Sequence, residues 1–175
     1  MLKANDKKLL ALAQQTGELL KRNGLMLATA ESCTGGWIGQ TVTAVPGSSA
    51  WFDRGFIAYS NLAKQQMLSV TPEILTRFGA VSEQVAREMA HGALKPGRAQ
   101  IATAVTGIAG PEGGTAAKPV GTVCFAWLII NEQNHSASSR TCLLDGDREA
   151  IRRQAVAIAL QGLLALLEAI EPPCA

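Results

Sequence analysis

Two apolar runs of strand length, residues 25–30 and 99–106, each lead straight into a turn of glycines and small polar residues. The first turn reads Glu31-Ser32-Cys33-Thr34-Gly35-Gly36, and the second opens Gly107-Ile108-Ala109-Gly110-Pro111-Glu112-Gly113-Gly114. A short continuous apolar run bounded by turn residues is the pattern of a buried strand. Such a strand needs cover on both faces, and helices supply it. The loops beyond its end expose backbone N–H groups, which is where α/β proteins build sites.

The rest of the chain supplies the helices. Asn5 or Asp6 can cap a first helix running to about residue 22, with Leu9, Leu10, Ala13, Gly17 and Leu20 on one face and Asn23-Gly24 at its end. A short helix over 35–44 carries Trp37, Ile38 and Val42 at helical spacing, and Pro46-Gly47-Ser48-Ser49 is a turn. Residues 52–59 alternate loosely as a strand, with Gly55 marking a bulge or a close approach. Helices follow over 61–70, from Thr71-Pro72-Glu73, and from a Ser82 cap to about 94. Beyond the second buried run, 107–119 is a Gly- and Pro-rich loop. Strands over 120–130 and 137–144 are joined by Asn131-Glu132-Gln133-Asn134. A long helix from 147 to about 171 is stopped by Pro172-Pro173. Helices alternate with strands first and a hairpin comes late. That order predicts an α/β fold, a single-domain mixed β-sheet covered by helices on both faces. No repeat or interior linker divides the 175 residues.

Composition removes several functions. Hydrophobic residues make up 47% and charged residues 17%, which argues against disorder. A net charge of +2 and 5% aromatics argue against nucleic acid as a partner. Cys33, Cys124, Cys142 and Cys174 form no C-x-x-C pair and only two histidines are present, so no metal site and no cofactor is expected. The first eight residues hold no apolar signal core, and no uninterrupted apolar run reaches the ~18 residues of a membrane span. With free thiols, these features lead to the expectation of a soluble cytoplasmic protein without a membrane partner. Leu160, Leu163, Leu164, Leu166, Leu167 and Ile170 give the last helix more apolar surface than one face uses, so a homo-oligomer, dimer or trimer, is expected.

The chemistry centres on Ser32. There is no Walker-type phosphate loop, no H-E-x-x-H, no G-x-S-x-G and no S-x-x-K. His91 lies on a helix among surface-type residues and His135 in a polar hairpin turn, so neither is placed as a base. A serine can instead be activated by a neutral lysine, and burial can neutralise one. Lys64 follows Tyr59-Ser60-Asn61 at a strand-to-helix junction, and Tyr59, the sole tyrosine, could relay a proton or donate to an oxyanion. Spacing alone favours the plainer alternative: Asn61 caps the helix, Lys64 is solvated, and Tyr59 packs at an edge. Cys33 is a rival nucleophile, because a thiol at a helix N-terminus can ionise readily, although a small Cys there also packs well. Thr106-Gly107 and the glycines after them could cradle a phosphate or merely turn. Arg148 opens the last helix, against its dipole and four residues from Arg152, and therefore reads better with an anion beside it.

Taken in order, several stretches resemble one family. They are Ala30-Glu31-Ser32-Cys33-Thr34-Gly35-Gly36, Pro46-Gly47-Ser48-Ser49, Gly55-Phe56-Ile57-Ala58-Tyr59-Ser60-Asn61 with Lys64, Gly79-Ala80-Val81-Ser82, Thr106-Gly107-Ile108-Ala109-Gly110-Pro111, Lys118-Pro119-Val120-Gly121-Thr122-Val123, and Gly146-Asp147-Arg148. The chain is similar over nearly its whole length to the CinA C-terminal family, the nicotinamide-nucleotide amidases. The resemblance implies hydrolysis of the carboxamide of nicotinamide mononucleotide to nicotinate mononucleotide and ammonia, in pyridine nucleotide salvage. It puts the family nucleophile on Ser32, its lysine on Lys64 and its tyrosine on Tyr59. The substrate is then expected at Cys33, Thr34, Gly35, Gly36, Thr106, Gly107 and Arg148. The alternatives are a nucleotide-binding or regulatory module without catalysis, and an amidohydrolase working through the Cys33 thiol.

Overall fold

A computed structural model describes residues 4–131 and 135–170. Five strands, β1 (Leu27–Glu31), β2 (Phe52–Ile57), β3 (Ile101–Gly107), β4 (Thr122–Ile130) and β5 (His135–Leu143), form one sheet in the order β2-β1-β3-β4-β5. β1 lies parallel to both β2 and β3, and β4 and β5 add on antiparallel. The two central parallel strands are the two apolar runs, as a strand covered on both faces requires.

Helices α1 (Ala4–Arg22), α2 (Trp37–Thr43) and α6 (Arg148–Glu168) cover one face of the sheet. α3 (Asn61–Leu68), α4 (Pro72–Phe78) and α5 (Glu83–Leu94) cover the other. The first core holds Leu27, Ile38, Val42, Trp51, Ile101, Phe125 and Leu160. The second holds Ala28, Ala30, Ala102, Ala104 and Ala126 beneath Val85 and Met89. Alanines on that face let α5 sit close to the sheet. Gly92 of α5 in turn admits the Leu68 carbonyl at the end of α3, where a Cβ would collide with it. This contact seats α3, the helix that carries Lys64.

Several boundaries differ from expectation. β1 begins two residues late and takes in Glu31, a charged residue that nonetheless points into the protein. α1 starts at Ala4, so Asn5 and Asp6 lie inside it rather than capping it. Asp6 instead accepts a hydrogen bond from Arg153 of α6. Ser60, not Asn61, caps α3, its Oγ accepting from Ala63 N–H at 3.0 Å. Gly55 does mark a close approach, since a Cβ there would stand 2.8 Å from Thr29 Oγ1, but the register break falls beside it, at Asp53. His135 opens β5 instead of lying in the turn. Residues 132–134, Pro172-Pro173 and Cys174 lie outside the described residues. By length and composition α6 could cross a membrane, although no uninterrupted apolar run is that long. Here Ile151, Ala155, Ala159, Leu160, Leu163 and Leu167 are buried in the core.

Candidate active site

Ser32 sits one residue beyond β1, its N–H still donating to Val105 of β3, and it is buried. After β2 the chain turns across the end of β1: Ala58 N–H donates to Glu31 C=O, Ser60 caps α3, and the first turn of α3 enters beneath Ser32. That path carries Lys64 Nζ to 2.9 Å from Ser32 Oγ and 3.1 Å from the Ala58 carbonyl oxygen. Lys64 is 2% exposed, so the reading of it as a solvated lysine is wrong. Burial lowers its pKa from the usual lysine value. An ammonium loses several kcal/mol of hydration on burial, and among the described residues no carboxylate lies within ion-pair distance of Nζ. The neutral amine suits the geometry: one N–H donates to Ala58 C=O, and the lone pair can accept the Ser32 hydroxyl proton.

The turn after Ser32 is clamped from two sides. The buried Glu31 carboxylate accepts from Thr34 Oγ1 at 2.7 Å, from the N–H groups of Gly36 and Ile38 at 3.0 Å, and from Gly39 N–H at 2.8 Å. These are the orphan donors at the start of α2. The N–H groups of Gly36, Ile38 and Gly39 are thus taken up by the protein's own carboxylate. Gly35 and Gly36 adopt φ of 62° and 91°, the left-handed backbone that glycine supplies. Gly35 N–H donates to Ser32 C=O. From the other side, Arg152 donates Nε–H to Cys33 C=O at 3.0 Å and Nη2–H to Thr34 C=O at 2.7 Å. A trans peptide points its N–H opposite to its C=O. Thr34 N–H is thus directed away from Arg152. Among the described residues, it, Cys33 N–H and Gly36 N–H have no backbone acceptor, and Gly36 N–H is taken up by Glu31.

The other sequence candidates fall in different places. Tyr59 is exposed, and its hydroxyl accepts from Arg148 Nη2 at 2.8 Å. The structure does not bond it to Ser32 or Lys64. Arg148 also donates Nη1–H to Gly110 C=O at 2.6 Å, tying the glycine-rich loop to α6. Thr106 is buried and its hydroxyl donates to Ala80 C=O at 2.8 Å, so that side chain holds the α4–α5 corner, while Gly107 packs against Val123. Cys33 is buried and its thiol pKa is pushed up to about 12 by desolvation, against the pull of its own N–H and of Arg152. It stays a neutral thiol near pH 7, whereas a nucleophile must be a thiolate. Cys33→Ala is accordingly expected to keep activity within about threefold of wild type, with no inactivation by iodoacetamide, measured as ammonia release. His91 and His135 are exposed, on α5 and β5. Among the described residues no group of His, Cys, Asp and Glu is arranged to hold a metal.

Sequence reasoning missed Glu31, whose only signal was a lone carboxylate between an apolar run and a turn. It also missed Arg152 as a strut, seeing only its unfavourable spacing from Arg148.

The CinA C-terminal domain matches residues 9–167. This chain belongs to the CinA C-terminal domain family. It is 52% identical over 158 residues to the nicotinamide-nucleotide amidohydrolase PncC of Escherichia coli, covering 90% of this chain and 94% of that one. It is 48% identical over 159 residues to the protein of the same name from Pseudomonas putida, covering 89% and 94%. The crystal structure of a competence/damage inducible protein, CihA, from Agrobacterium tumefaciens superposes with a TM-score of 0.86 at 48% identity, covering 91% of this chain and 95% of that one. The CinA-type fold is therefore the mixed five-stranded sheet described above, and four of the seven segments that carried the resemblance lie at the ends of β1, β2 and β3 and the start of α6.

Proposed function

We propose that the protein hydrolyses the carboxamide of nicotinamide mononucleotide, giving nicotinate mononucleotide and ammonia, as a cytoplasmic enzyme of pyridine nucleotide salvage. The observation that carries the reading is the buried contact of 2.9 Å between Lys64 Nζ and Ser32 Oγ, in a chain whose half-identical relatives are named for this activity. Neutral Lys64 takes the Ser32 proton as Oγ attacks the carboxamide carbon. Cys33 N–H and Thr34 N–H stabilise the oxyanion, where preorganised donors are worth most. Lys64 returns the proton to the departing nitrogen, and ammonia leaves. Lys64 then takes a proton from water, which attacks the nicotinoyl ester, and hands that proton to Ser32 Oγ as the ester bond breaks, restoring the serine and the neutral lysine. The direct Lys64–Ser32 contact needs no relay, so Tyr59 serves by holding Arg148 at the mouth of the site. No step requires a metal. Half-buried Leu164 and Leu166 on α6, with Ile170 just beyond its end, support a homo-oligomer.

The test is ammonia release from nicotinamide mononucleotide, nicotinamide riboside and nicotinamide by the wild-type protein. Turnover of the mononucleotide, undiminished by EDTA, is the expected result. Calorimetric binding of the mononucleotide without ammonia would replace this reading with that of a non-catalytic nucleotide-binding module.

A further inference from the structure

A cavity of about 710 Å³ opens beside the nucleophile turn, between α1, α2 and the start of α6. Its walls include Gly35, Gly36, Trp37, Arg148 and Arg152, and also Arg153 with its partners Asp6 and Glu149. The three arginines differ in one respect. Arg153 is neutralised by two carboxylates, and the Trp37 ring lies 4.9 Å from its guanidinium carbon. Arg148 and Arg152 have no carboxylate within ion-pair distance among the described residues; their observed acceptors are carbonyls and a phenol. Each guanidinium has five N–H groups and uses two in these bonds. Two positive charges one helical turn apart repel, and in the first turns of α6 they also oppose the helix dipole. An anion between them removes both penalties.

Arg152 adds a connection. The guanidinium that lines this cavity also grips Cys33 C=O and Thr34 C=O, and so directs the N–H groups beside Ser32. Trp37 stacks 5.3 Å from the Arg152 guanidinium carbon and limits its movement. We propose that this cavity takes the dianionic phosphate of the substrate between Arg148 and Arg152, and that Arg152 transmits its occupancy to the oxyanion turn, so that the phosphate raises kcat and not affinity alone. This rests on the amidase reading above and extends it to substrate selection: a phosphomonoester is required for fast turnover, and the nucleoside, which lacks it, is a slow substrate. Remote binding energy used in this way appears in kcat when the remote group is removed.

The experiment compares nicotinamide mononucleotide with nicotinamide riboside in the wild type, Arg152→Gln and Arg148→Gln, reading kcat and KM for ammonia release. The wild type is expected to turn over the mononucleotide with a kcat at least about tenfold above that for the riboside. Inorganic phosphate added at saturating riboside is expected to raise the riboside kcat. Both variants are expected to shrink the kcat ratio toward one, and Arg152→Gln to lose activation by phosphate. A wild-type ratio lying wholly in KM overturns the coupling. A loss in Arg152→Gln shared equally by both substrates makes Arg152 only a strut for the turn and also overturns it. Arg148→Gln, which does not touch the turn, gives the same ratio test if Arg152→Gln fails to fold; an unchanged ratio there overturns the subsite. Should the wild type release ammonia from neither compound, the amidase reading falls. The cavity is then judged alone, by calorimetry with inorganic phosphate and nicotinate mononucleotide: binding weakened at least about tenfold in Arg152→Gln supports it, and equal binding overturns it.

Discussion

Replacing Ser32 by alanine is expected to lower kcat for ammonia release from nicotinamide mononucleotide by roughly 10⁴-fold or more, the scale seen when an acyl-enzyme nucleophile is deleted. The loss follows from the site's composition. Cys33, the adjacent nucleophile, is a buried neutral thiol whose pKa is pushed up to about 12. No histidine lies at the site to activate water in place of the serine. The substitution removes one oxygen from a buried position, and Lys64 Nζ keeps the Ala58 carbonyl at 3.1 Å, so folding should survive. Nucleotide affinity by calorimetry should change by less than about threefold, because the arginines of the neighbouring cavity are untouched. An active Ser32→Ala protein would remove Ser32 as nucleophile, and a protein that neither turns over nor binds would show that the substitution damages more than chemistry.

How much of this site could be read from the sequence depends on the range of the interaction. The two central strands were legible because a strand buried on both faces leaves an unbroken apolar run, and because glycines are needed where Gly35 and Gly36 turn left-handed. The order of helices and strands was legible for the same local reasons. Glu31 was not: a carboxylate at the end of an apolar run looks like the first loop residue. Only the arrival of the Gly36, Ile38 and Gly39 N–H groups makes its burial tolerable. Lys64 was a candidate base whose spacing favoured a solvated lysine, because its burial comes from the crossing of the β2–α3 connection over the end of β1, a long-range event that leaves no trace in helical spacing. Family resemblance pointed to it where periodicity favoured a surface lysine. Arg152 is the clearest case. Its acceptors lie more than a hundred positions earlier in the chain, so the local pattern reported the repulsion from Arg148 and none of the compensation.

Lys64→Met tests the base, since methionine is close to lysine in length and lacks the amine. The expected outcome is a fall in kcat of roughly 10³- to 10⁴-fold with KM nearly unchanged. KM should hold because the resting contacts of the buried Lys64 nitrogen are with Ser32 and Ala58, and in the proposed mechanism it meets the substrate only during proton transfer. The pH dependence separates this from a structural role. In the proposed mechanism Lys64 acts as the free amine, so wild-type kcat/KM is expected to rise as it loses its proton. The limb should lie below the ordinary lysine value, because burial lowers the pKa. Lys64→Met should lack that limb in its residual activity. Stability carries the same signature with a definite sign. A lysine whose folded pKa is lowered leaves the unfolded chain holding more protons between the folded and unfolded values, so native stability rises with pH across that window. Below it the full penalty of burying the charge applies. The stability of the wild type relative to Lys64→Met, from urea denaturation at a series of pH values, should therefore increase with pH from the lowered folded pKa up to the ordinary lysine value. A KM raised at least about tenfold with kcat preserved would instead make Lys64 a substrate clamp. A wild-type stability difference that falls with rising pH would mean that the buried nitrogen is held as an ammonium, and the proton transfer from Ser32 would lose its acceptor.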